Sequence, residues 1–381
     1  MTTPTPQPQG GAAVVPRGAV LCEADAAALA LSLAARGPAH GSNPRVGCVL
    51  LAPDPGAVCD HPAAHRVGRI LGGGWHRGAG TAHAEVAALA DARASGASVE
   101  GATAVVTLEP CNHVGRTGPC SVALLEAGVA RVTHLLADPN AVASGGAARL
   151  RAAGVDAPGP GEPDAGPGHE LLRVWLHAVR SGRPFVTLKT ATSLDGRVAA
   201  PDGSSRWITS AESRAHAHAV RATVDAIAVG TGTVLADDPT LTARPGGADA
   251  HQPLRVVVGH RDVPAHARLR TGPGGDLLHV RTHDVADVLA ELAAREVRHV
   301  LVEGGPTLAS AFLRAGLVDE VHAYVAPVLL GAGPSALGDL GVTSIDEALR
   351  LRTVSTIPLG PDVLIVARPD AAPAAPTYQE A

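Results

Sequence analysis

Short runs dense in Val, Ile and Leu alternate along the chain with longer stretches rich in Ala and Leu. In the first half the short runs are Arg45 to Leu51, Thr103 to Leu108 and Arg131 to Ala137. In the second they are Phe185 to Ala191, Ala226 to Val229, Leu254 to Val258, Val297 to Glu303 and Glu320 to Pro327, with Asp362 to Arg368 as a closing strand. Such runs predict strands apolar on both faces, and the segments between them predict helices, among them Ala84 to Ser95 and Ser121 to Ala127. Leu171, Leu172, Trp175, Leu176 and Val179 keep helical spacing over His169 to Ser181. The alternation predicts two α/β domains with largely parallel sheets.

The stretch Asp156 to Gly168, DAPGPGEPDAGPG, sustains neither a helix nor a central strand, and Gly182-Arg183-Pro184 punctuates the helix that follows it. Domains are therefore expected over residues 20–182 and 183–368, with tails at 1–19 and 369–381 disordered. A hydrophobic share of 46 % against 18 % charged residues excludes a disordered polyampholyte. A formal charge of -5 and only seven Phe, Trp or Tyr residues leave little material for a nucleic-acid surface, so no such partner is expected. The apolar run Ala24 to Ala35 follows Glu23, contains Asp25 and lacks a basic leader, which reads against an export signal. No apolar run reaches the roughly 18 residues of a membrane span. A cytoplasmic protein without a membrane partner is expected, and its five cysteines point to thiol or metal chemistry over a disulfide framework.

His83-Ala84-Glu85 opens one predicted helix, the strand Thr103 to Leu108 runs into Glu109-Pro110-Cys111, and Pro119-Cys120 opens another helix, with Pro119 at its first position. His83, Cys111 and Cys120 would bind Zn2+ through three ligands, leaving a fourth position for water, the arrangement of a catalytic site. Glu85 would then carry a proton from that water to a leaving amine. Zinc nucleobase deaminases carry the pattern H-x-E…P-C-x-x-C; here eight residues, NHVGRTGP, separate the cysteines instead of two. That loop lodges His113 and Arg116 beside the metal, where Arg116 would hold a phosphate.

In the second half, Lys189 sits in an apolar strand, an expensive place for a charge that is neither paired nor used. The strand Val297 to Val302 runs into Glu303-Gly304-Gly305-Pro306-Thr307 and a helix through Arg314, an arrangement whose glycines and helix start admit a pyrophosphate. Gly230-Thr231-Gly232-Thr233 also follows a strand but lacks the third glycine of a dinucleotide fingerprint.

Three stretches of the first half, NPRVGCVL (43–50), GGGWHRGAGTAHAE (72–85) and TLEPCNHVGRTGPC (107–120), resemble the deaminase domain of the bifunctional riboflavin-biosynthesis deaminase/reductase family. In the second half, LKTATSLDGRVA, SSRWITS, AVGTGTVLADDPTLTAR, VEGGPTLASAFL and AYVAPVLLG resemble, in order, the reductase domain of the same family. The resemblance spans residues 24–368. It implies a cytidine-deaminase-like three-layer α/β/α domain followed by a dihydrofolate-reductase-like α/β domain. It also implies zinc-dependent loss of ammonia from C2 of a diaminopyrimidinone ribotide, a small-molecule substrate, followed by NADPH-dependent reduction of the ribosyl group to ribityl. By the same carry-over the zinc ligands fall on His83, Cys111 and Cys120 and the proton shuttle on Glu85, with substrate contacts on Asn43, His76, His113 and Arg116. In the reductase, cofactor contacts fall on Ala191, Trp207, Thr233, Asp237 and the loop-helix Gly305, Pro306, Thr307, Leu308, Ala309, Ser310 and Ala311. Substrate contacts fall there on Ser205, Arg221, Leu241, Arg244 and Glu303. Lys189 and Glu303 are assigned to proton management at the sugar C1′, with a buried ion pair between them as the plain alternative. A homo-oligomer, dimer or tetramer, is expected as well.

Two departures stand out. Pro53 to Arg69, with Cys59, His61 and His65, is longer than the turn usual there and reads as a surface insertion. Gly259-His260 replaces an Asp-Ser found in many members, which weakens a cofactor contact at that strand end. Two other functions compete. A deaminase of another nucleobase shares the zinc chemistry, but charge, aromatic content, cysteine spacing and the second domain argue against a nucleic-acid substrate. A non-catalytic paralogue serving as a scaffold is opposed by the intact Glu85, Lys189 and Glu303.

Overall fold

The computed structural model describes residues 15–54, 56, 66–113, 118–160, 166–245 and 250–370. Most of the expected insertion, with Cys59, His61 and His65, lies outside the described residues, as do residues 1–14, Arg116 and residues 371–381. The chain divides into two compact units, one of residues 1–38 and 43–173, the other of residues 39–42 and 174–381.

The first unit contains β1 (Val20–Cys22), α1 (Glu23–Ala34), β2 (Gly47–Pro53), β3 (Val67–Trp75), α2 (Ala84–Ala94), β4 (Thr103–Leu108), α3 (Cys120–Glu126), β5 (Arg131–Leu136) and α4 (Gly146–Ala152). The apolar run after Glu23 is thus a helix, capped by Cys22, that turns Ala26, Ala30, Leu33 and Ala34 inward. Its sheet has the order β1-β3-β2-β4-β5. The expectation of a largely parallel sheet fails here: β1–β3, β3–β2 and β2–β4 are antiparallel, and only β4–β5 is parallel. No helix lies between β2 and β3 among the described residues, whereas α3 provides the crossover that a parallel β4–β5 pair requires. Val15 and Ala19, expected in a tail, pack against the apolar cluster between α1 and the sheet.

Three glycines in β3 make the layering possible. A Cβ at Gly72 would lie 2.8 Å from the Ala92 nitrogen and one at Gly74 would strike the Ala88 backbone, both in α2. One at Gly73 would meet Leu33 of α1 at 3.0 Å. The side-chain period of two sends these positions to opposite faces, so alanine-faced helices press closely on both sides of one strand. The result is the expected α/β/α sandwich.

The helix α5 (Pro167–Ser181) begins in the first unit and ends in the second. The second unit continues with β6 (Phe185–Ser193), α6 (Ala211–Arg221), β7 (Ala226–Gly230), α7 (Thr231–Asp237), β8 (Leu254–Val258), α8 (Arg268–Thr271), β9 (Leu277–Val280), α9 (Val285–Ala294), β10 (His299–Gly304), α10 (Pro306–Arg314), β11 (Glu320–Ala326), β12 (Leu351–Leu359) and β13 (Asp362–Pro369). The strand order is β12-β13-β11-β6-β10-β7-β8-β9, parallel from β11 to β9 and antiparallel through β13 and β12. Val186 and Leu188 of β6 pack with α9 and α10 in one core cluster, while Ala191 packs with Tyr324, Leu364 and Ala217 of α6 in another. The second cluster marks the sheet face that Lys189 and Ala191 share, two residues apart on β6.

Gly74→Ala is expected to destabilise the first unit by about 1–3 kcal/mol, because α2 has no room to retreat. Hydrogen exchange of the β2 and β3 amides should accelerate while that of β6 and β10 stays unchanged; unaltered β3 protection would refute the packing argument.

Candidate active sites

In the first unit the ends of three elements meet. His83 is the N-cap of α2, Cys120 is the first residue of α3, and Cys111 lies just beyond β4. Pro119 occupies the N-cap position, one residue earlier than expected. The His83 Nδ1 lies 3.5 Å from Cys111 Sγ and 3.3 Å from Cys120 Sγ, and the three donor atoms fall within 4.8 Å of one another. A tetrahedral ion with Zn–S of about 2.3 Å and Zn–N of about 2.0 Å needs N···S edges of about 3.5 Å, so the donor set fits zinc. The Cys111 thiol is pulled down to about 4 by a hydrogen bond from the Cys120 thiol, then, against burial, by His83 and the Cys120 backbone N–H. A thiolate is thus available to a metal. Glu85, in the first turn of α2, is buried, and that burial pushes its carboxyl upward.

The substrate-contact residues carried over by resemblance gather in part. Asn43 Nδ2 donates to His76 Nε2 at 3.0 Å, and His76 Nδ1 donates to the Ala82 carbonyl at 3.2 Å. Burial lowers the His76 pKa and keeps the ring neutral, as this pair of bonds requires. The His76 ring stands edge-on to His83, 5.4 Å between centroids. The His113 Nδ1 is buried without a partner among the described residues.

Two supports were not recognised in the sequence. Glu109 accepts from the backbone N–H groups of Asp138, Gly145 and Ala147 at 3.3, 3.2 and 3.0 Å. Asn112 accepts from Ser121 Oγ at 3.0 Å and Arg149 at 3.3 Å, and its N–H donates to Ala143. A Cβ at Gly146 would strike the Pro110 carbonyl, so α4 begins directly against the cysteine loop. The only sequence signal was an acidic and an amide residue flanking Pro-Cys in a strand-end loop.

In the second unit the reductase residues converge on β6, β10 and α6. Arg221, the last residue of α6, donates from Nε and Nη2 to Glu303 at 2.6 and 2.7 Å, and its Nη1 donates to the Thr242 carbonyl at 3.0 Å. Burial alone would raise the Glu303 pKa, but Arg221, with help from Lys189, holds it at about 2. The ion pair considered between Lys189 and Glu303 is not formed; the guanidinium has taken both carboxylate oxygens. Lys189 lies over the Tyr324 ring, 5.7 Å from its centroid, and burial lowers its pKa against the attraction of Glu303. Arg244 donates to His218 Nε2 at 3.1 Å, and His218 Nδ1 donates to Thr242. His218 was missed, although it stands one turn before Arg221 on α6.

The remaining carried-over residues are placed less uniformly. Gly305, the cap of α10, approaches Thr233 so closely that a Cβ would meet its Oγ1 at 2.9 Å, which brings the two glycine loops together. Trp207 is 69 % exposed with Arg214 stacked at 4.4 Å, leaving an indole face for a heterocycle. Strands β7 and β10 end at Gly230 and Gly304, and Gly259 directly follows β8, so at these three positions no side chain would block a dinucleotide from the backbone. Leu308, Ala309 and Ser310 point into the core, and Leu241 is buried at φ 52°, so these four meet a ligand only through their backbone. Asp237 and Thr307 are exposed, and Pro306, Ala311 and Ser205 are partly so. Asp195 and Arg197, prominent in the SLDGR stretch, are structural: Asp195 accepts from the Leu330 and Gly331 N–H groups, and Arg197 donates to the Gly333 carbonyl.

Comparison with known proteins agrees with this division. A family described as "RibD C-terminal domain" matches residues 184–365, and "Cytidine and deoxycytidylate deaminase zinc-binding region" matches residues 22–136. Riboflavin biosynthesis protein RibD of Mycobacterium tuberculosis is 49 % identical over 327 residues, covering 84 % of this chain and 90 % of that protein. The chain belongs to the RibD family. The solved structure of Acinetobacter baumannii RibD matches with a TM-score of 0.77 at 34 % identity, covering 92 % of this chain and 99 % of that one. That of a diaminohydroxyphosphoribosylaminopyrimidine deaminase/5-amino-6-(5-phosphoribosylamino)uracil reductase from Thermotoga maritima matches with a TM-score of 0.78 at 29 % identity, covering 91 % and 99 %. As a RibD family member the chain is a bifunctional enzyme of riboflavin biosynthesis, a zinc-dependent deaminase joined to an NADPH-dependent reductase.

Glu109→Ala leaves three backbone donors without their acceptor. It is expected to cost about 1–3 kcal/mol of first-unit stability and to speed zinc loss to a chelator. Metal analysis after timed dialysis checks this, and zinc retention equal to that of the unaltered enzyme would remove Glu109 from the support of Cys111.

Proposed function

We propose that the two reactions are divided among the residues as follows. His83, Cys111 and Cys120 hold the zinc, which when bound lowers the pKa of a coordinated water to near neutrality. Glu85 takes the proton of the attacking water and delivers it to the amine departing from C2 of the pyrimidinone. Asn43 and His76 orient the ring through their mutual bond, the orphaned His113 Nδ1 faces a polar substrate atom, and Arg116 takes the phosphate.

In the second unit NADPH, when bound, would supply the hydride for C1′ of the opened ribosyl group. Lys189 places the matching proton on the adjacent nitrogen, so that a C=N bond gains one hydride and one proton. Glu303, immobilised by Arg221, keeps negative charge beside the Lys189 ammonium and the protonated C=N that accepts hydride. Ser205, Arg221, Arg244 and the Leu241 backbone bind the ribotide. Ala191, Trp207, Thr233, Asp237 and residues 305–311 bind the nucleotide. The observation that carries this reading is the occurrence, in one chain, of a His-Cys-Cys triangle beside a buried carboxylate and of a lysine flanked by a locked carboxylate. We place the domain division at residues 182/183, with the first domain reaching back to include Val15 and Ala19 and the second running through Pro369.

We further infer a cytoplasmic homo-oligomer, dimer or tetramer. Most of the exposed large apolar side chains, among them Leu329, Ile345, Leu349, Leu351, Val354 and Val363, fall between residues 328 and 363, a concentration that a second copy would cover. A solution mass equal to one chain by light scattering would overturn the oligomer.

The reaction is tested by following ammonia release and NADPH loss separately with the diaminopyrimidinone ribotide. Glu85→Gln should retain zinc and lose deamination by about 10²–10⁴-fold; normal ammonia release would exclude the role. Cys120→Ser should lose the metal, and full zinc occupancy would exclude it as a ligand. Lys189→Ala should spare ammonia release and abolish NADPH oxidation, and an unaffected reductase rate would return it to a structural role.

A further inference from the structure

Strand β6 lies between β10 and β11, so Lys189 has a neighbour strand on each side. From β10 comes Glu303; from β11 comes Tyr324, which pairs in register with Ala191, the next residue on the Lys189 face. Tyr324 is 1 % exposed, and the Lys189 Nζ stands 5.7 Å from its ring centroid. Both flanking groups are tied to the same helix. Arg221 of α6 grips Glu303, and His216, just over one turn earlier on α6, hydrogen-bonds the Tyr324 hydroxyl at 2.8 Å. Burial and the nearby His322 lower the His216 pKa, and in either neutral tautomer Nδ1 has a partner in the phenol, as acceptor or as donor.

Packing alone does not explain a tyrosine at this place. A buried apolar ring fills the volume equally well, whereas the hydroxyl adds a tether that fixes ring rotation and the π face adds negative potential toward a cation. We propose that Tyr324, anchored by His216, is a positioning residue of the reductase that holds the Lys189 amine between its ring and the Glu303 carboxylate. The proposal rests on the reading of Lys189 as the proton source. Helix α6 then acts as a common brace, fixing the two groups that flank the amine from opposite sides.

Removal of the ring withdraws support for the charged amine, so the Lys189 pKa falls. A lysine that donates a proton loses activity as pH rises through its pKa, and the alkaline limb of the rate profile moves to lower pH. The other groups around this face are Arg221 and His218 on α6, Glu303 on β10 and His322 on β11, the last paired with Glu320 at 3.0 Å. Arg221 and Glu303 lie within electrostatic reach of the Tyr324 hydroxyl and His216 bonds it, so Tyr324→Phe, which removes the hydroxyl and keeps the ring, separates their response from that of the ring.

The test is the pH dependence of kcat and KM for NADPH oxidation in the full-length zinc enzyme, with ammonia release as the internal control of integrity. Tyr324→Leu is expected to lower reductase kcat about tenfold, leave the KM for NADPH within about twofold, and move the alkaline limb down by about half to one pH unit. Tyr324→Phe and His216→Ala each keep the ring but cut the tether, and should give smaller changes in the same direction. Ammonia release should be unchanged in all three. A loss of rate at every pH with the limb unmoved in both Tyr324→Leu and Tyr324→Phe means a structural wall and overturns the proposal, as does full activity of Tyr324→Leu. If Lys189→Ala itself reduces substrate normally, the proton-source reading fails and takes this proposal with it.

Discussion

The bidentate contact between Arg221 and Glu303 is the constraint around which the second unit is organised. A carboxylate whose side chain is 7 % exposed is tolerable only with a partner of matching geometry, and the guanidinium fork supplies two parallel bonds. The third contact, to the Thr242 carbonyl, pins the segment after α7 to the same point. With Glu303 fixed, the end of β10 is fixed, and so is the start of α10 at Gly305 against Thr233. The charge of Lys189 is tolerable in its strand because that carboxylate already stands beside it. Loss of Glu303 alone would leave two uncompensated cations, Arg221 and Lys189, and breaking a buried pair in this way costs about 3–5 kcal/mol.

The first unit solves a similar problem with neutral partners. Its reacting groups come from a helix cap, a loop and a helix start, none of which is rigid alone. Glu109 and Asn112 tie the cysteine loop to the backbone of residues 138–147, and the absence of a side chain at Gly146 lets α4 close against Pro110. The donor atoms are therefore held at metal-edge distances by hydrogen bonds that never touch the metal. Such outer contacts commonly tune affinity as strongly as the ligands' own geometry.

Much of this was legible in the sequence, for physical reasons that can be named. His83, Cys111 and Cys120 were readable because helix and strand ends follow from apolar periodicity, and thiols at such ends have few other uses. The α/β alternation located most strands of both sheets. Strand β3 was obscured by Gly72, Gly73 and Gly74, which have low strand propensity and serve a packing that only the two helices reveal. The antiparallel order of the first sheet was hidden because β3 was not among the predicted strands, and the Pro53 to Arg69 stretch that leads into it read as a surface insertion. Arg221 was carried over as a substrate contact, yet its partnership with Glu303 joins residues 82 positions apart. Nothing local distinguishes it from Lys189 as the partner; the choice is made by the reach of α6.

The Gly259-His260 departure gains a different meaning in this setting. Gly259 has φ 125°, and a Cβ there would meet Thr231 Oγ1 at 2.9 Å, so the glycine lets the end of β8 close on the start of α7. The exchange alters how two neighbouring strand ends pack and leaves Lys189, Glu303 and Arg221 untouched. β8 is separated from β10 by β7, so its end is one strand removed from the carboxylate and two from the lysine. A substitution there acts at the end of β8, whereas Glu303, Lys189 and Tyr324 belong to β10, β6 and β11. A similar role falls to SLDGR: Asp195 and Arg197 tie the loop beyond β6 to the backbone of residues 330–333.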